Sequence, residues 1–181
     1  RPLLSPQSLT LEARMHNVET HSSAILSEFP DLPISEQFVL WAARIWVKSN
    51  SQAPTLHLNL RDGFREAHME DGYLILDRIM TLLSARASQE IHFHCTCCME
   101  ITTHEHTILG IIAEFQTGDK SNAYMILSEW LPSSAAMEAG REFQDFAMLL
   151  KANGLHIRER QWFPVGGEHP AAPVSPLPTI H

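Results

Sequence analysis

From Thr102 to Gly118 the chain spells out a complete α-helix, and that pattern, repeated along its length, constrains the fold more than any other feature. Ile108, Ile111, Ile112 and Phe115 keep the i, i+3, i+4, i+7 spacing of one buried helical face. Thr102 and Glu105 stand three residues apart, so the side chain of each can bond the backbone N–H of the other, a capping box that sets the start. Gly118 closes the helix.

Similar stripes recur on both sides. Leu11, Met15, Val18, Ser22, Ile25, Leu26 and Phe29 run at helical spacing until Pro30 and Pro33 stop them, and Phe38, Trp41, Ala42, Ile45 and Trp46 form a second stripe before the polar Ser49–Gln52 linker. The segment from Leu56 is ambiguous: Leu56, Leu58 and Leu60 alternate like a strand, whereas Leu56, Leu60 and Phe64 fit a helix running to Ala67, the reading we favour. After Asp71-Gly72, Leu76, Ile79, Met80 and Leu83 predict a helix; Ala123, Ile126, Leu127, Trp130 and Leu131 predict another, ended by Pro132. Ala139, Phe143, Phe146, Ala147 and Leu150 predict the last, with Gly154 placed for a C-terminal cap. Six or seven helices of irregular length, with no solenoid-length repeat, predict an all-α globular bundle, one domain over residues 1–163. From Pro164 the composition turns to Gly166-Gly167 and Pro170, Pro173, Pro176 and Pro178, which predicts a flexible tail over 164–181.

Composition narrows the function classes. With 181 residues, 44% of them hydrophobic, the core should stand without disulfides or metal, so any bound ion would be local organisation. The excess of 21 acidic over 13 basic residues gives a charge of -8, which repels a phosphate backbone, and no basic stripe reverses it. No run approaches the roughly 20 apolar residues of a membrane span. Arg1-Pro2-Leu3-Leu4 lacks the basic lead-in to an apolar stretch that marks a secretory signal. Three cysteines confined to one tetrad suit a reducing compartment or a metal, and the cytoplasm is the expected location.

One stretch states a chemistry: His92-Phe93-His94-Cys95-Thr96-Cys97-Cys98, followed by His104-Glu105-His106. Thiolate and imidazole are the ligands that zinc and other borderline or soft metals prefer. Ile91, Phe93 and Cys95 alternate with His92 and His94, the pattern of a short extended segment over 91–95 that projects both imidazoles to one side. Cys95 and Cys98 form a C-x-x-C pair, whose tight turn can aim two sulfurs at one ion; Cys97, inside the turn, is less well placed. His104 and His106, two apart on a helix, differ by about 200° and should not share an ion. The expected tetrahedral set is therefore Cys95, Cys98, His104 and either His92 or His94, with zinc favoured over copper(I), nickel or an iron cluster. Four protein ligands close a zinc site, so a structural ion is expected rather than a catalytic one.

Three functional readings follow. The first is a small zinc-binding helical protein, regulatory or adaptor in role, whose ion pins residues 92–98 against the helix from Thr102 and presents a rigid surface to a protein partner. In the second, Cys95 and Cys98 respond to redox state by closing a disulfide, although the strand–helix alternation of a thioredoxin fold is missing around them. The third is a plain helical interaction module, in which Cys95 is a small buried hydrophobe and the Pro-rich tail a tether or ligand. Elsewhere His16, His21, His57, His68 and His156 stand singly, the four tryptophans lie mostly on apolar stripes, and Glu66, Glu70, Asp71 and Asp77 read as a solvated face. No phosphate loop, G-x-S-x-G elbow or H-E-x-x-H helix is present.

Overall fold

Every apolar stripe that falls wholly within the described residues becomes a helix. The computed structural model describes residues 28–51 and 55–160; the stripe from Leu11 to Leu26 and the tail from Pro164 lie outside them. A 3₁₀ turn at Phe29–Asp31 precedes α1 (Ile34–Ser51), α2 (Leu56–Glu66), α3 (Glu70–Arg86), α4 (Thr103–Thr117), α5 (Ser121–Trp130) and α6 (Ser133–Ala152). Among the described residues the fold is all-α, with six helices and no strand. The 91–95 segment crosses the surface without strand pairing.

Helix α4 is the centre of the bundle. Ten of its fifteen residues are buried, including Ile108, Leu109, Ile111, Ile112 and Phe115, because its apolar positions spread around the axis rather than along one stripe. Helix α6 lies against α3, α4 and α5, while α1 packs on α2 and also touches α3 and α4. The core is continuous across all six, from Leu40 and Phe64 to Leu127, Phe143 and Phe146. Trp46 and Trp130 are buried in it, as their positions on apolar stripes suggest.

Local chemistry explains the helix ends. The α4 capping box is complete: Glu105 N–H donates to Thr102 Oγ1 at 3.0 Å and Thr102 N–H to Glu105 Oε2 at 2.8 Å. Gly118 ends that helix at φ 97°, and Gly154 turns the chain at φ 77° beyond α6, where Leu155 N–H reaches back 2.9 Å to the Leu150 carbonyl. Helix α2 resolves in favour of the i, i+4 pattern: Leu60 and Phe64 are fully buried while Leu58 is 60% exposed. It ends through His68 at φ 56°, which brings Met69 N–H to the Phe64 carbonyl at 2.9 Å, a left-handed cap that no glycine announces.

Gly72 has a different role from the punctuation its sequence context suggests. Helix α3 begins before it, at Glu70, and a Cβ at position 72 would lie 2.7 Å from two Phe64 ring carbons and 3.2 Å from Leu149 Cδ2. Phe64 is fully buried and cannot swing away. Gly72→Ala should therefore cost up to about 2 kcal/mol: overpacking of about 1–3 kcal/mol is set against a gain in helix propensity of about 1 kcal/mol. Urea unfolding midpoints check this, and a more stable alanine variant would refute the close approach.

Candidate metal and thiol site

The cysteines sit on the loop joining α3 to α4, and most of the loop's backbone is tied down. Ser88 N–H donates to the Trp130 carbonyl at 2.8 Å, which fixes the entry. Ile91 and Phe93 are half-buried against the core. Thr102 Oγ1 donates to the His92 carbonyl at 2.7 Å, and His94 N–H donates to Glu105 Oε1 at 3.3 Å. Between these anchors Cys98 N–H closes a turn onto the Cys95 carbonyl at 3.1 Å.

Arg44, from the middle of α1, fills the space beneath the turn. Its Nε and Nη2 donate to the two Glu105 carboxylate oxygens at 2.6 and 3.0 Å, a fork-to-fork pair whose side chains are 1% and 0% exposed. The remaining donors reach the loop: Nη1 to the carbonyls of Cys98 at 2.8 Å and Cys95 at 3.4 Å, Nη2 to that of Glu100 at 2.7 Å. The guanidinium carbon also lies 4.9 Å from the Phe29 ring centroid, and Phe29 N–H bonds the Met99 carbonyl at 2.6 Å. Glu105 is thus both the helix cap and the counter-ion of a buried arginine that shapes the cysteine loop. A charged residue inside the apolar phase of α1, between Ala43 and Ile45, is the trace this leaves in the sequence.

Three sulfurs converge on the surface of the turn. Cys95 and Cys98 are joined as a disulfide with their Cα atoms 5.4 Å apart, and Cys97 Sγ is 2.9 Å from Cys95 Sγ. All three sulfurs lie within 4.8 Å of one another, the tightest His/Cys/Asp/Glu grouping of three or more among the described residues. Cys95 and Cys97 are exposed and Cys98 is half-buried. Cys95 is therefore not the buried hydrophobe that its alternation with Phe93 suggests, because the turn begins there and rotates it outward. Cys97, set aside in the reading of the spacing, stands with the other two.

The histidines are arranged separately. His92 and His104 face each other with ring centroids 5.6 Å apart, and His104 Nδ1 accepts the His92 N–H at 3.3 Å. His104 packs edge-on to Trp130 at 5.5 Å, and burial, with the neighbouring His92 adding to it, pushes its pKa below the ordinary histidine value. His94 Nε2 lies 3.9 Å from the Glu100 carboxylate. His106 has a separate environment, where burial and the Arg160 charge lower its pKa against the opposing pull of Glu36. None of these imidazoles joins the sulfur group. The arrangement brings together Cys95, Cys97 and Cys98, pairs His92 with His104, and holds His94 beside the turn; chemically the cysteine group can hold a metal ion or close a disulfide.

No protein family, curated protein or solved structure matches this chain. Among the described residues, no helix is long and apolar enough to cross a membrane.

Proposed function

We propose that the loop from His92 to Cys98 binds a soft or borderline metal ion, zinc by preference, and that the protein acts as a regulatory or adaptor module through the surface the ion stiffens. The observation that carries this is the convergence of three sulfurs within 4.8 Å on a turn whose carbonyls are gripped by a buried arginine. Cys95, Cys97 and Cys98 supply thiolates, and one imidazole completes a tetrahedron. His94 is the nearest candidate in the chain, directly preceding Cys95; ligation by His92 or His104 requires their ring pair to separate. Thiolate ligation needs a reducing compartment, for which we take the cytoplasm, and the partner is a protein, since a charge of -8 disfavours nucleic acid.

The full chain, expressed with zinc and purified under reducing conditions, should carry about one ion per molecule, falling below about a tenth when Cys95 and Cys98 are both changed to Ser. Elemental analysis reads both numbers. Wild-type protein with less than about a tenth of an equivalent sinks the metal reading. If the double variant also folds and binds a partner normally, the chain is a plain helical module. A second reading has its own observation: with Cys95 joined to Cys98, the loop serves as a thiol-based redox-responsive regulator.

A further inference from the structure

We infer that these two readings are two states of one device, in which hydroperoxide closes the Cys95–Cys98 bond and thereby expels the ion. The inference rests on the metal-binding reading above and adds its regulation. A sulfur committed to a disulfide has no thiolate charge left to donate to zinc. Closing the bond therefore removes two of three sulfur donors at once and leaves Cys97, a single thiolate that cannot retain the ion with one imidazole. The same pair serves both states because its Cα separation of 5.4 Å suits a disulfide, and a C-x-x-C turn equally suits a common ion.

The loop backbone is built to stay in place while the sulfurs change partners. Arg44 holds the carbonyls of Cys95, Cys98 and Glu100, and the Cys98 N–H holds that of Cys95. None of these bonds uses a sulfur atom, so none has to break. Exposure sets the order within the pair that the structure joins: Cys95 is open to solvent and Cys98 half-buried, so of these two the oxidant meets Cys95 first, while Cys97, also exposed, stands outside the pair. Cys95 thiolate attacks one peroxide oxygen; the S–O bond forms, the O–O bond breaks and hydroxide leaves. Cys98 thiolate then attacks the Cys95 sulfur; the S–S bond forms, the S–O bond breaks and a second hydroxide leaves. Two thiolates have lost two electrons, one hydrogen peroxide has gained them, and zinc passes to solvent or an acceptor. A dithiol reductant reverses the bond and restores the site.

The test uses the full chain loaded with zinc, hydrogen peroxide, and a chromogenic zinc chelator too weak to strip the reduced protein. Zinc should appear in step with loss of two thiols, about one ion per disulfide, at least about tenfold faster than without peroxide. Peptide mapping should assign the bond to Cys95 and Cys98 with Cys97 free, and dithiothreitol should restore zinc uptake. Cys97→Ser, which keeps the pair, should bind zinc more weakly yet release it with the same one-to-one coupling and no thiol left. Oxidation with zinc retained, zinc loss with all three thiols intact, or a disulfide that includes Cys97 would each overturn the gating while leaving metal binding standing. A reduced chain that takes up no zinc overturns both.

Discussion

Glu105→Ala is expected to lower the free energy of unfolding by about 3–5 kcal/mol, the penalty for removing one partner of a buried ion pair. The carboxylate accepts from Arg44 Nε and Nη2, from Thr102 N–H and from His94 N–H, so its loss strands a guanidinium that is 1% exposed together with two backbone donors. Losing the cap alone is a smaller matter: Thr102→Ala should cost about 1–2 kcal/mol. The excess cost of Glu105→Ala over Thr102→Ala reflects the stranded guanidinium together with the two backbone N–H groups that the carboxylate accepts from. Replacing both charges, Arg44→Met with Glu105→Leu, should restore much of the stability, because no unpaired charge then remains buried. That double variant nevertheless leaves the carbonyls of Cys95, Cys98 and Glu100 without their arginine donor, so backbone amides of residues 95–100 should exchange with solvent faster than in the wild type. Urea midpoints at unchanged slope and amide exchange check the set. A Glu105→Ala loss below about 1 kcal/mol would mean that water satisfies Arg44 and that the loop is not organised by this pair.

Features whose cause is local were legible in the sequence. The capping box at Thr102 and Glu105, the left-handed glycines at 118 and 154, and the stop at Pro132 all lie within a few residues of what they control. Helix phase also survived where pattern alone was ambiguous, since Leu60 and Phe64 are buried together and Leu58 is not. What escaped depends on distance. Arg44 and Glu105 are 61 positions apart, and nothing periodic links them. Gly72 reads as a breaker until Phe64 and Leu149 are seen against it. Within the site, C-x-x-C spacing correctly brought Cys95 and Cys98 together. The direction of Cys97, the exposure of Cys95 and the pairing of His92 with His104 depend instead on how the turn is seated over α1, which no local pattern encodes.

A second buried carboxylate yields a prediction with a pH signature. Glu36, near the start of α1, is fully buried and binds the segment after α6: it accepts from Arg158 N–H at 3.0 Å, from Arg158 Nε and Nη2 at 3.1 and 3.0 Å, and from Arg160 Nη1 and Nη2 at 3.3 and 2.8 Å. Ser35 Oγ donates to the His156 carbonyl at 2.6 Å and Ile157 N–H donates to Gln116 Oε1 at 2.9 Å, and both fasten the same segment. Burial alone would raise the Glu36 pKa, but the hydrogen bonds from Arg158 and Arg160 together outweigh it and hold the carboxyl below its ordinary value. A folded pKa below the unfolded one means that the stabilisation is complete above the unfolded value of about 4.3 and disappears as pH falls through the lower folded value. Glu36→Gln, which places an amide NH₂ among arginine donors, should cost about 2–3 kcal/mol at neutral pH. That is less than at Glu105, because the Arg158 side chain is 54% exposed and water screens its share. The deficit should shrink as pH is lowered through the unfolded carboxyl value and on through the lower folded one, where the wild-type carboxylate takes up its proton. Protonation of His106, opposed by burial and by Arg160 and favoured by the Glu36 charge, weakens the Gln variant more than the wild type, so it widens the gap until Glu36 itself takes up its proton. Urea unfolding across that series decides the matter: a gap between the two chains that is the same at every pH would show that the shape of the Glu36 side chain, and not its charge, holds residues 155–160 against α1.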